Sequence, residues 1–189
     1  MKKGKIFILS GPSGSGKTTL YKKLISSQKL QGKLAKVISV TTRPKREGEE
    51  HGRDYFFVSP TMFNHKRQAG HFVESQKVFD NYYGTPKKQV KTLLRAGKSV
   101  LLCIDVKGAK VVNRQLSGVI KIFVSAPSLS VLKKRIEQRG AEDKKTIDLR
   151  IKTAKKELLE ARHYDHIIIN DRLNKAFSRL EKLVLSYLN

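Results

Sequence analysis

Gly11-Pro12-Ser13-Gly14-Ser15-Gly16-Lys17-Thr18 satisfies the pattern G-x-x-x-x-G-K-[ST] at every position, and no other stretch constrains the fold as tightly. Such a loop works only where a strand ends and a helix begins. Its backbone N–H groups then turn inward on phosphate oxygens, and the positive end of the helix adds to them. The flanks meet that requirement. Ile6 to Leu9 is a short apolar run suited to a buried strand, and Leu20, Leu24 and Ile25 lie on one face of the helix that follows. A bound nucleoside triphosphate is therefore expected. Lys17 would reach the β- and γ-phosphates, the Thr18 hydroxyl would help hold Mg²⁺, and Thr19 extends the candidate contacts into the helix. The loop does not say what receives the γ-phosphate, because translocases, GTPase switches and small-molecule kinases all use it.

The remaining pattern predicts one α/β domain over residues 1–189, with short apolar strands alternating with helices around a mostly parallel sheet. Strands are expected at Lys5 to Ser10, Val37 to Thr41, Tyr55 to Val58, Phe72 to Phe79, Ser99 to Asp105, Val119 to Ser125 and His166 to Asn170. The helix after the loop is expected to run to about Ser27. Ser59-Pro60 caps a helix ending at Gly70, and Pro86 opens another closed by Gly97. Pro127 precedes a helix to Gly140, a second covers about Lys144 to Arg162, and Leu173, Phe177, Leu180, Val184 and Leu188 mark an amphipathic terminal helix. No apolar run approaches the ~18 residues of a membrane span. The one cysteine, Cys103, excludes an internal disulfide framework and a Cys-rich metal site, and a reducing cytosol fits best. The net charge is +24, and twelve Lys and Arg precede the first acid. Such a field attracts phosphorylated ligands and polyanions alike. Paired lysines on helix faces also suit a merely solvated surface.

The stretch Thr41-Thr-Arg-Pro-Lys-Arg-Glu-Gly-Glu-Glu-His-Gly-Arg-Asp-Tyr55 departs from that excess. Arg43, Lys45, Arg46 and Arg53 are matched by Glu47, Glu49, Glu50 and Asp54. A patch binding polyanions by counter-ion release would keep its acids elsewhere. Together with Phe72-Val-Glu74, Asn81-Tyr-Tyr83-Gly84-Thr85, Arg-Gly-Ala-Glu at 139–142 and Ile-Ile-Asn170-Asp, it closely resembles the guanylate kinase family over about 160 residues. The resemblance implies a P-loop kinase fold: a five-stranded parallel core sheet flanked by helices, a nucleotide-acceptor (GMP-binding) subdomain and a helical lid. The core would comprise 1–38, 98–126 and 162–189, the acceptor subdomain 39–97 and the lid 127–161. It implies transfer of the γ-phosphoryl of MgATP to GMP in the cytoplasm. ATP and GMP would be the partners, with no specific nucleic acid and no membrane, in a monomer or homodimer. Ser39, Arg43, Arg46, Tyr55 and Tyr83 would hold the GMP phosphate, beside Gly84. Glu74, Thr85 and Asp105 would read the guanine. Arg135, Arg139 and Arg150 would clamp the transferring phosphoryl with Lys17, and Asn170 would lie near the adenine.

Chemistry supports the same set. Guanidinium groups neutralise two approaching polyanions and bind oxygens in pairs, while tyrosine hydroxyls donate without adding charge. Guanine presents N1–H and the N2 amine as neighbouring donors to one carboxylate, which adenine would leave unpaired. In this expectation Arg43, Arg46 and Tyr55 face one phosphate, and Lys45, Arg53 and the four acids stand apart. Three positions leave the family pattern. Cys103 stands where a first acid is common before Asp105, Lys107 replaces a glutamine, and Arg172 replaces an acid after Asn170-Asp. Alternatives are a kinase of another phosphorylated acceptor such as a sugar phosphate, a guanylate-kinase-like interaction module, and charge-driven nucleic-acid binding. Lys17 argues against the interaction module, and no stacking platform supports the last.

Overall fold

The computed structural model describes residues 4–78, 80–138 and 144–188. In chain order it contains β1 (Ile6–Ser10), α1 (Lys17–Ile25), a 3₁₀ turn at Gln28–Leu30, β2 (Leu34–Lys36), β3 (Val40–Thr41), β4 (Phe56–Phe57), α2 (Pro60–Gln68), β5 (Phe72–Val78) and β6 (Asn81–Pro86). The second half contains α3 (Lys87–Arg95), β7 (Ser99–Cys103), α4 (Val106–Gln115), β8 (Val119–Ser125), α5 (Leu129–Glu137), α6 (Lys144–Leu159), a 3₁₀ turn at Glu160–His163, β9 (His166–Ile169) and α7 (Leu173–Leu188).

Five strands form a parallel sheet in the order β2-β7-β1-β8-β9, the expected α/β core. Strand alternation divides its side chains between two layers. From β1, Phe7 and Leu9 face α1 and α7, packing with Leu20, Leu24, Leu180 and Val184. Ile6 and Ile8 face the other way, with Val90, Val100, Leu102 and Val112. β1 is thus buried on both faces, which explains its unbroken apolar run. A third, smaller cluster joins α5 to α6 through Leu132, Ile136 and Ala154.

The second sheet has the order β4-β3-β6-β5, with β6 antiparallel to both its neighbours. One expectation needs correction here, and two elements were not foreseen. Val37 to Thr41 is not one strand: the chain leaves the core sheet after Lys36 and joins the second sheet at Val40. β6 is a strand despite its Asn, Gly and Pro, because β5 and β3 supply ladder partners on both edges. α4 was not foreseen. Val106, Val111 and Val112 weaken the helical signal, yet the Asp105 side chain caps the helix by accepting from the Gly108 N–H at 2.7 Å. The helix ends foreseen near Ser27 and Arg162 come within two to three residues, and Gly140 lies outside the described residues. α1 stops at Ile25, α5 at Glu137, and α6 at Leu159 with a 3₁₀ turn after it.

Candidate active site

The phosphate loop sits between β1 and α1. Gly11 has φ 139, and a Cβ there would lie 2.1 Å from the Val124 carbonyl oxygen of the neighbouring strand. Gly16, at φ 88, caps α1, and a Cβ there would lie 2.2 Å from Asn170 Nδ2. Only glycine satisfies both demands. Lys17 folds back over the loop and donates to the carbonyls of Gly11 (2.6 Å) and Pro12 (3.2 Å). Ser15 is buried and Ser13 half-buried, while the Thr18 and Thr19 side chains are exposed on the first turn of α1. Asn170, buried just beyond β9, donates from Nδ2 to the Ser15 carbonyl at 2.8 Å and supports the loop from beneath. Its own carbonyl accepts from Arg135 Nη2 at 3.0 Å, which ties α5 to the same point.

Cys103 ends β7 and Asp105 caps α4 two residues later, both within electrostatic reach of Lys17. Burial raises the pKa of both, and the Lys17 ammonium opposes the shift in each. Beyond Asp105 lies Glu74, only 5% exposed. Its Oε1 accepts from Thr85 Oγ1 at 2.6 Å across the β5–β6 pair. Its Oε2 sits so close to Gly108 that a Cβ there would stand 2.8 Å away. Burial pushes Glu74 up to about 7, against the Thr85 hydrogen bond, and Asp105 adds to the rise. The structure therefore gathers Glu74, Thr85 and Asp105 around one buried carboxylate, with Gly108 leaving the space.

Ser39, Arg43, Tyr55 and Tyr83 come from β3, β6 and the segments flanking them. Arg43 follows β3 and is 9% exposed. Its guanidinium carbon lies 5.3 Å from the centre of the Tyr55 ring and 5.6 Å from that of Phe57. Tyr55 and Tyr83 meet edge to face at 6.1 Å, and burial pushes the Tyr55 hydroxyl up to about 12. Arg46 is an exposed side chain on the following turn. Gly84 lies under the Phe72 ring, 2.9 Å from where its Cβ would be. Arg135 and Arg150 are half-buried on α5 and α6. Arg139 lies outside the described residues.

Several residues were not singled out in the sequence. Glu49, grouped there with the bystander acids, is bonded to Arg43 through both carboxylate oxygens. Glu157 on α6 lies within electrostatic reach of Lys17, Asp105 and Lys107, and burial pushes it up to about 7. Its only sequence signal is an acid after Lys155 and Lys156, three residues from the buried Ala154. Tyr21 of α1 is buried near Cys103 and Tyr55, which raises its pKa.

Comparison with known proteins fits this arrangement. The family model described as guanylate kinase matches residues 3–187. The chain belongs to the guanylate kinase family. It is 38% identical to the guanylate kinase of Rickettsia prowazekii over 184 residues, covering 97% of this chain and 92% of the relative. Identity to the guanylate kinase of Sulfurimonas denitrificans is 44% over 180 residues, covering 95% and 86%. The crystal structure of guanylate kinase from Anaplasma phagocytophilum superposes with a TM-score of 0.82 at 30% identity, covering 100% of this chain and 88% of that one.

Proposed function

We propose a division of labour for the ATP:GMP phosphotransferase activity, forming ADP and GDP, that family membership assigns to this chain. Buried Glu74 carries the reading. One of its oxygens is held by Thr85 and the other borders Gly108 near Asp105. A carboxylate so placed matches the paired N1–H and N2 donors of guanine, and an adenine would leave it unpaired. Ser39, Arg43, Arg46, Tyr55 and Tyr83 hold the GMP phosphate beside Gly84. Arg43 and the tyrosines form one half-buried wall that supports this role.

ATP lies on Gly11 to Thr19, with Asn170 acting through the loop it supports. Lys17, Arg135, Arg150 and Arg139 balance charge on the moving phosphoryl. A GMP phosphate oxygen forms a bond to the γ-phosphorus as the bond to the β-phosphate bridging oxygen breaks. No general base is required, since the acceptor phosphate is already ionised. Among the described residues no group of three His, Cys, Asp or Glu could hold a metal. Mg²⁺ would therefore come with the triphosphate, with the exposed Thr18 hydroxyl as its protein ligand, and it would neutralise the β- and γ-oxygens. Residues 39–97 act as the acceptor subdomain and 127–161 as the lid on a core of 1–38, 98–126 and 162–189. No described helix is long and apolar enough to cross a membrane. The single free cysteine suits a reducing cytoplasm.

ADP formation from ATP with each nucleoside monophosphate tests this reading. GMP is expected to be the efficient acceptor, and Lys17→Ala to lower kcat by about 10²–10³-fold. Turnover with another acceptor and none with GMP would overturn it.

A further inference from the structure

We infer that Glu49 is a positioning residue for the acceptor phosphate, one that fixes Arg43 so that a single edge of its guanidinium faces the substrate. A guanidinium has five N–H donors in one plane. Glu49 Oε2 accepts from Arg43 Nη1 and Glu49 Oε1 from Nη2, both at 2.8 Å, which occupies the fork between the two terminal nitrogens. The Pro44 carbonyl takes a further Nη1 hydrogen at 2.7 Å. Tyr55 and Phe57 lie against the guanidinium at 5.3 and 5.6 Å. The Nε–H and the second Nη2–H remain. They are parallel donors on one edge, and the Tyr83 hydroxyl, itself assigned to the acceptor phosphate, interacts with the same guanidinium. That edge has the spacing of a bidentate site for two oxygens of a phosphate.

The local sequence builds the clamp. Arg46 to Glu49 forms a turn in which the Glu49 N–H donates to the Arg46 carbonyl at 3.1 Å, with Gly48 at φ 74. The Arg46 N–H donates back to Glu49 Oε2 at 2.9 Å. The carboxylate is thereby aimed at Arg43, and the pairing lowers its pKa below the ordinary glutamate range. On the other side, the Arg43 N–H donates to Thr41 Oγ1, which itself donates to the Tyr82 carbonyl. A buried arginine without a partner is costly, so Glu49 also lets Arg43 occupy its place before GMP arrives. Preorganisation of this kind lowers the cost of binding.

The proposal rests on the assignment of Arg43 to the acceptor phosphate, and a four-protein cycle separates the two claims. Wild type, Arg43→Ala, Glu49→Ala and the double variant are compared in steady-state kinetics. Glu49→Ala is expected to raise KM for GMP about 10- to 100-fold while KM for ATP stays within about twofold. In the Arg43→Ala background the same change should add less than about twofold, as expected when one residue acts through another. Glu49→Gln, which keeps the shape but offers Arg43 a single acceptor oxygen, should follow Glu49→Ala and provides the test if the alanine variant does not fold. An unchanged or lowered KM for GMP would overturn the inference, as would a Glu49 effect undiminished without Arg43. If Arg43→Ala leaves KM for GMP unaltered, the acceptor-site assignment fails first and the clamp with it.

Discussion

In the proposed guanine site Glu74 must be ionised to accept two donors, yet burial holds its carboxyl up to about 7. Two opposite pH effects follow. The folded chain binds this proton more tightly than an unfolded glutamate near 4.5 does. The contribution of Glu74 to stability is therefore full below that value and is lost as pH rises through about 7. GMP binding runs the other way, strengthening as Glu74 deprotonates. kcat/KM for GMP should rise between pH 6 and 8 with two inflections, one from Glu74 at about 7 and one from the second ionisation of the GMP phosphate at ~6. A pH profile of Glu74→Gln should keep the phosphate inflection alone. Both inflections surviving would remove Glu74 from the guanine site. At this scale the sequence was informative about residue types and poor about pairing. Glu74, Thr85 and Asp105, singled out from the motif, are brought together by the fold. Glu49 was not singled out, because four acids within eight residues look alike until a turn selects one. Gly108 is recognised only from the oxygen that a methyl group would displace.

Elements with a strong local signal appeared where expected. β8 spans Val119–Ser125 as foreseen, and the Ser59-Pro60 start of α2 is a formed cap in which Ser59 Oγ accepts from the Met62 N–H at 3.2 Å. Elements decided by tertiary pairing did not. β6 carries turn residues and exists because two strands flank it, and the break between β2 and β3 lies inside one apolar run. Burial also sets how much each element contributes to stability. Phe7 of β1 is wholly buried, and its ring meets that of Tyr187 edge to face at 6.0 Å. Phe7→Ala should destabilise the chain by about 3–5 kcal/mol. Ile167 on the edge strand β9 is 50% exposed, and Ile167→Thr should stay within about 1 kcal/mol. Urea unfolding midpoints measure both, and equal losses would contradict the two-layer core.

For the whole molecule, +24 is a property of the solvent-facing lysines far more than of the site. Arg43 is buried and paired with a carboxylate, whereas Lys87, Lys88, Lys91 and Arg95 on α3 are exposed. Screening acts mainly on exposed charges. Raising salt from 50 to 200 mM should therefore weaken any binding to single-stranded RNA far more than it changes KM for GMP, which should move by less than about threefold. Filter binding and steady-state assays in the same buffers make the comparison, and parallel losses would place the acceptor site on the open surface. The chain path has a further consequence. β2 and β7 are adjacent parallel strands, and α3, packed against β7, already supplies the crossover helix between them. All four strands of the second sheet lie in the single stretch 40–86, between β2 and α3. Most of the residues proposed to meet the acceptor, Glu74 and Thr85 among them, thus lie in one contiguous cassette, to which the core adds Asp105. One recombination event could exchange it for another while leaving the strand order of the ATP-holding core untouched.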